Sequence, residues 1–122
     1  MIHDKPVHHF DHDRLDAFRV AREALRLGDA IVRDLPRGYG SLADQCRRAL
    51  LAQYLQTSEA ASRTGADRLA RFRIARAEAG EAAAALLAVG DLGLADVKRI
   101  DEVIELLWRV CAMLHRLSRP TR

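Results

Sequence analysis

The sequence predicts an all-α fold, an antiparallel up-and-down four-helix bundle. Ala, Leu and Arg, which are strong helix formers, dominate a chain of 122 residues in which 49% are hydrophobic and only 5% aromatic. Apolar residues recur at intervals of three and four within four segments, and turn-forming residues separate those segments. Nothing alternates with the period of two that marks a strand. One helical domain is therefore expected.

The four helices are predicted to follow a flexible N-terminal arm over residues 1–12. Their expected ranges are 13–34, 42–62, 66–89 and 95–118. Pro and Gly between residues 36 and 40 end the first helix, short loops near Gly65 and residues 90–93 end the next two, and Pro120 ends the last. Ser41 is the expected N-cap of helix 2. Short connections favour antiparallel neighbours, so the bundle closes in chain order.

Helices 1 and 4 each carry two apolar stripes about 100° apart around the helix. A bundle helix needs one stripe to face the core. The second stripes are either part of a wide core face or a subunit interface, because a large exposed apolar patch is costly in a soluble monomer. The interface interpretation predicts a homo-oligomer through Val20, Leu27 and Ile31 of helix 1 and Val103, Leu106, Val110 and Met113 of helix 4.

Helix 3 has a different composition, because residues 75–90 are mostly small. Gly80 in its interior costs about 1 kcal/mol relative to Ala. That cost is explained either by a close approach of another helix or by a tolerated accident of sequence.

The histidines of the N-terminal arm are a weak candidate for a metal site. His3, His8, His9 and His12 lie among aspartates, and both residue types bind zinc or nickel. Their spacing fits no closed site, so a solvated tail is the preferred interpretation. No metal and no cofactor are predicted.

Catalytic signatures are missing from the sequence. It has no phosphate-binding loop, dinucleotide fingerprint or zinc-protease motif. His115 has no Asp or Cys at helical spacing to make it a base. We therefore expect a protein that is not an enzyme.

Cysteine usage and hydropathy bear on the compartment. Cys46 and Cys111 lie in helical patterns and are interpreted as reduced core residues. No apolar run approaches the roughly 18 residues of a membrane span, and the first residues lack the apolar region of a signal peptide. A cytoplasmic protein without membrane contact is expected.

Arginine supplies the main functional signal. Residues 47–76 contain seven Arg against two acidic residues, in a chain of net charge +3. Arginine binds phosphate through a planar fork of donors, although an Arg-rich solvated face is the simpler interpretation. The predicted nucleic-acid-binding residues are Arg47, Arg48, Arg63, Arg68, Arg71 and Arg73.

Several motifs resemble a known bacterial family. Its apolar-aromatic opening resembles Phe10, Leu15 and Phe18 of this chain. Its Tyr-Gly-Leu-x-x-Gln-Ile-Arg-Arg-Ala motif resembles Tyr39-Gly40-Ser41-Leu42 followed by Gln45-Cys46-Arg47-Arg48-Ala49. Its turn before helix 4 resembles Asp91-Leu92-Gly93. The family is that of four-helix-bundle proteins encoded in intervening sequences of large-subunit ribosomal RNA genes, related to the accessory variability determinant of diversity-generating retroelements. The likeness covers residues 10–118, but residues 52–60 depart from the family's Ser-Ile-Pro-Ala-Asn-Ile-Ala-Glu-Gly pattern.

The resemblance implies a non-enzymatic homo-oligomer, commonly a pentamer, and related accessory proteins bind nucleic acid and a reverse transcriptase. Two functional hypotheses follow. The first is a nucleic-acid-associated accessory factor that binds RNA or DNA backbones through arginine. The second is a protein–protein scaffold whose partner docks on the small-residue face of helix 3 or on the second stripes.

Overall fold

The computed structural model describes residues 10–120, and in that part of the chain it contains helices and no strand. A 3-10 turn over Asp11–Arg14 precedes α1 (Asp16–Arg33), α2 (Gly40–Ala61), α3 (Gly65–Asp91) and α4 (Val97–Leu117). Each helix packs against two others: α2 against α1 and α3, and α4 against α3 and α1. The predicted all-α four-helix bundle is confirmed. No helix in this part of the chain is long and apolar enough to cross a membrane.

Contacts between neighbouring helices establish their register. On α2, Gln53 reaches Ala21 of α1 and Arg47 reaches Asp29, so these helices are antiparallel. On α3, Gly90 lies beside Ile100 of α4, while the guanidinium of Arg73 donates to the backbone oxygen of Ser118. Residues of α3 and α4 whose numbers add up to about 190 therefore lie at the same level of the bundle.

The core combines large aliphatic side chains with many alanines. Leu50, Leu86 and Leu107 are fully buried, and so are Ala75, Ala79 and Ala82 of α3. Small residues permit close helix contacts, of which Gly28 gives the clearest case. A Cβ at Gly28 would lie 2.7 Å from Cδ1 of the buried Leu50. The absence of that carbon lets α1 and α2 approach each other there.

The predicted oligomer interface on helices 1 and 4 is wrong for its central residues. Ile31, Val103 and Val110 are at most 1% exposed, since they form the core of a single chain. The other four, Val20, Leu27, Leu106 and Met113, are partly buried and pack against that core. The Arg99–Asp34 ion pair sets the register of α1 against α4 and brings the second stripes of the two helices level with each other. Both helices have a wide core face because each contacts two neighbours.

The end of the predicted arm belongs to the folded domain. The ring of His12 lies 4.1 Å from that of Phe18, whose own ring is 5.1 Å from Tyr54. Ser58 on α2 also hydrogen-bonds Nδ1 of His12 at 3.0 Å. The arm predicted over residues 1–12 therefore does not include His12. His3, His8 and His9 lie outside the described residues, as does any metal site built on them.

Helix ends differ from the sequence expectation in one respect. Ser41 lies inside α2, which begins at Gly40 with Tyr39 as its N-cap, and no side chain caps it. Asp96 is the N-cap of α4, and its carboxylate accepts a hydrogen bond from the backbone N–H of Lys98 at 3.1 Å.

Candidate functional site

The adjacent arginines of α2 are held in ion pairs with neighbouring helices. Arg48 reaches Glu81 of α3 at 2.5 Å and Glu78 at 3.5 Å. The hydrogen bond from Arg48 holds the pKa of the Glu81 carboxyl below its ordinary value. Arg47 lies 3.9 Å from Asp29 of α1. Both arginines were predicted to bind nucleic acid, but they link helices within the chain.

A second ion-pair group occupies the loop between α2 and α3. Arg63 pairs with Glu59 at 2.8 Å and with Asp67 at 3.5 Å, and Arg71 pairs with the same Asp67 at 3.5 Å. The hydrogen bond from Arg63 lowers the pKa of Glu59. Arg68 lies over the ring of Phe72, 5.2 Å from its centroid. Of the six predicted arginines, Arg68 and Arg73 form no carboxylate ion pair in the part of the chain that the structure describes.

The outer surface between α3 and α4 carries large exposed apolar side chains. One of them is the most exposed aromatic side chain among the described residues. Trp108 of α4 is 66% exposed, and Leu87 of α3 is 50% exposed. Asp101, Ile104, Glu105 and Trp108 line one surface depression. Leu87 is level with Ile104, so apolar groups from both helices meet at this surface. We call this surface the α3/α4 face.

Small residues form the α3 side of the same face. Gly80 and Ala84 are exposed and precede Leu87 at intervals of four and three, which places the three on one side of the helix. A Cβ at Gly80 would have no atom within 4 Å. Close packing inside the chain therefore does not explain Gly80.

One end of the α3/α4 face is acidic. Asp91 ends α3. Asp101 and Glu105 lie on the first half of α4, Asp101 one turn before Ile104 and Glu105 directly after it. Among the described residues, none of these three carboxylates has an ion-pair partner. We call them the acidic end.

The other end of the face is basic. Arg76 on α3 brings its guanidinium within 2.5 Å of Nδ1 of His115 on α4, and Arg119 approaches Nε2 of the same ring at 3.2 Å. A neutral imidazole has one acceptor nitrogen, so His115 satisfies only one of the two guanidiniums at a time. Arg73 completes this group, which we call the basic end. Residues 68–77 and 106–120 contain no acidic residue.

The two ends cannot neutralise each other within one chain. Fourteen residues separate Asp101 from His115, which is about 21 Å along a helix. Elsewhere arginines find carboxylates one helical turn away or on the next helix, as Arg33 does with Asp29 at 2.8 Å and Arg99 with Asp34 at 3.1 Å. The α3/α4 face thus has an apolar centre and two oppositely charged ends that lack partners.

Only part of this face was predicted from the sequence. The small residues of helix 3 were expected there, but Trp108 was not, because it lies between Glu105 and Arg109 outside both apolar stripes. A large aromatic among charged residues on the polar side of an amphipathic helix was the available signal.

Other surfaces are less distinctive. A cleft along α1 is lined by Arg22, Arg26, Asp29, Arg33 and Arg99. Three of its arginines form ion pairs: Arg26 with Glu23, Arg33 with Asp29 and Arg99 with Asp34. Cys46 is buried and Cys111 partly so, and burial raises the pKa of both thiols. Within residues 10–120, no three His, Cys, Asp or Glu side chains are grouped to hold a metal ion.

Fold and site together define a small helical-bundle protein whose α3/α4 face combines exposed apolar groups with oppositely charged ends. No protein-family model matches the chain, and no curated protein matches it. The resemblance to the bacterial intervening-sequence family stays a prediction.

Proposed function

We propose that this protein is a scaffold that binds another protein chain through its α3/α4 face. The observation that carries the proposal is Trp108, two-thirds exposed at the centre of an apolar surface. Tryptophan is the residue most enriched at energetic hot spots of protein interfaces, which are central, apolar and surrounded by polar groups. The face has this arrangement, with charge at both ends.

The composition of α3 supports the same proposal. Residues 82–90 of α3 carry no charged side chain, and a helical segment that is apolar on all sides is usually covered on all sides. Core residues such as Leu86 account for the inner side of α3, whereas Gly80, Ala84 and Leu87 are exposed on its outer side. A partner on this surface would cover apolar area that the chain itself leaves in water.

Site-specific photo-crosslinking in the cell tests the proposal. A photoreactive amino acid replaces Trp108 in one variant and Arg22, on the exposed side of α1, in the control. We expect a protein adduct from position 108 that the control does not give. Equal yields from both positions, or no adduct from position 108, would reject the α3/α4 face as a protein-binding surface.

A second candidate function is binding of nucleic-acid backbones, which the basic end favours. Arg76 and Arg119 contact one histidine, Arg73 donates to the backbone oxygen of Ser118, and none of the three pairs with a carboxylate among the described residues. Such a group has more donors than acceptors. Phosphate oxygens are suitable acceptors for these donors. The arginines proposed here differ from most of those predicted from the sequence, since Arg47, Arg48, Arg63 and Arg71 form ion pairs with carboxylates.

Titration of labelled RNA and duplex DNA at two salt concentrations tests this candidate. The Arg73/Arg76/Arg119→Ala variant is expected to lose binding, and its salt dependence should be shallower by about one unit of log–log slope for each phosphate contact removed. Arg47/Arg48→Ala is the matched control and should bind as the wild type does. No binding by the wild type at low salt would reject the candidate.

A further inference from the structure

We infer that the partner on the α3/α4 face is a second copy of this chain, bound antiparallel about a two-fold axis. This inference rests on the proposed scaffold function and names its partner. A second copy fits the charges at the two ends of the face, the distance between them and the small residues of α3.

Charge complementarity identifies the second copy. At the acidic end, Asp91 and Asp101 form no ion pair with the described residues. At the basic end, Arg73 and Arg119 form none either. A partner needs a basic group and an acidic group about 27 Å apart, which is eighteen residues along a helix, in the reverse order and with an apolar centre between them. The chain itself presents this pattern once its direction is reversed.

The symmetry follows from the same pattern. In a two-fold interface, if a residue contacts a second one on the partner, the second contacts the first in return. An axis lying in the interface and perpendicular to the helices sets α4 antiparallel to α4 and α3 antiparallel to α3. Asp101 then faces Arg119 of the other copy, and Asp91 faces Arg73. An axis parallel to the helices would oppose like charges at both ends.

The centre of the face suits this arrangement. Halfway between the two ends lie Trp108 on α4 and, at nearly the same level, Gly80 on α3. The axis therefore passes close to both residues. Trp108 of one copy then contacts either Trp108 of the other copy or Ala112, one turn further along the same helix of that copy. Gly80 and Ala84 carry no bulk that would keep the two α3 helices apart.

Charge reversal at one end at a time tests the antiparallel geometry. The acidic-end variant is Asp91→Arg with Asp101→Arg, and the basic-end variant is Arg73→Glu with Arg119→Glu. A homodimer of either variant opposes like charges at both ends of the face. Its self-association should therefore be weaker than that of the wild type by at least about tenfold. An equimolar mixture should form a one-to-one heterodimer, because each variant supplies the charges that the other requires.

The control is Arg22→Glu, which reverses a charge on α1 and should associate as the wild type does. Circular dichroism and thermal melting establish that all variants are folded before they are compared. If the mixture fails to associate, or if both single-end variants associate as the wild type does, the antiparallel arrangement is overturned. An assembly larger than a dimer also overturns it, since a closed two-fold interface stops at two copies.

Failure of this inference can be told from failure of the scaffold function. A wild type that stays monomeric at submillimolar concentration, but gives an adduct from position 108 in cells with a different protein, rejects the second copy and keeps the scaffold. A monomeric wild type with no adduct from position 108 rejects both.

Discussion

Gln53 of α2 binds Ala21 of α1 within the hydrophobic core: its Nε2 donates to the backbone oxygen of Ala21 at 2.9 Å. The side chain is fully buried, and the same Nε2 also donates to the backbone oxygen of Leu50 at 3.0 Å. Its Oε1 has no hydrogen-bond partner among residues 10–120. This amide therefore fixes α2 against α1 through its donor side alone.

Two replacements of Gln53 both remove the amide donor, but only one of them buries a carboxyl group in its place. Gln53→Glu keeps the shape but removes the donor and buries a carboxyl group, so we expect a loss of about 3 kcal/mol in the free energy of unfolding. Gln53→Leu removes both the donor and the unpartnered Oε1, and should stay within about 1 kcal/mol of the wild type. Urea denaturation measures both. Equal losses for the two variants would contradict the expected cost of burying the carboxyl group.

Two glycines in helix interiors should respond oppositely to alanine. Gly28→Ala places a Cβ against the buried Leu50, and overpacking costs about 1–3 kcal/mol, which outweighs the gain in helix propensity. Gly80→Ala meets no atom within 4 Å and should stabilise the chain by up to about 1 kcal/mol. Thermal melting of both variants at low protein concentration compares them. A stabilising Gly28→Ala would mean that α1 and α2 are less closely packed than described.

Leu107 tests the position of the core face of α4. It is fully buried, and Leu→Ala in a core typically costs about 2–5 kcal/mol. Leu55→Ala on α2 is the control, because Leu55 is 51% exposed and should lose less than about 1 kcal/mol. Similar losses for the two variants in chemical denaturation would contradict the assigned core.

The Arg48–Glu81 ion pair predicts a specific titration result. Glu81 and Glu59 should both titrate below the ordinary value of 4.5, because each accepts a hydrogen bond from an arginine. In Arg48→Gln the pKa of Glu81 should rise, and that of Glu59, which pairs with Arg63, should not change. Carboxyl NMR titration measures both. A Glu81 that titrates the same in the variant would show that the pair does not form in solution.

The lowered pKa of Glu81 also determines how the ion pair changes stability with pH. Folding lowers the pKa of Glu81, so the ion pair stabilises the folded state above the pKa of the unfolded carboxyl. That contribution is lost as the pH falls through the lower folded pKa. It is small, since both side chains are about half exposed.

The fold could be predicted from the sequence because the helical period and the turn residues agree along the whole chain. Four helices were expected, and their bounds differ from the structure by three residues or fewer. The second stripes of α1 and α4 were harder to assign, because a wide core face and an exposed interface produce the same spacing. Only the burial of residues such as Val103 distinguishes the two.

The candidate site depended on relationships that spacing does not contain. Arginine counts could not reveal that Arg48 reaches Glu81, thirty-three residues further along the chain, because the contact forms between helices. The pairing of α3 with α4, which brings Leu87 beside Ile104 and Arg76 beside His115, likewise appears only in the folded chain.

The mass of the wild type in solution tests the central claim most directly. Sedimentation equilibrium at submillimolar concentration should give twice the 13.6 kDa of one chain, and Trp108→Glu should return the mass to a single chain. Leu51→Glu, at a position 47% exposed on α2, is the control and should leave the dimer intact. A wild type that stays at 13.6 kDa at every concentration, or a Trp108→Glu variant that associates as the wild type does, would contradict the assignment of the α3/α4 face as the interface.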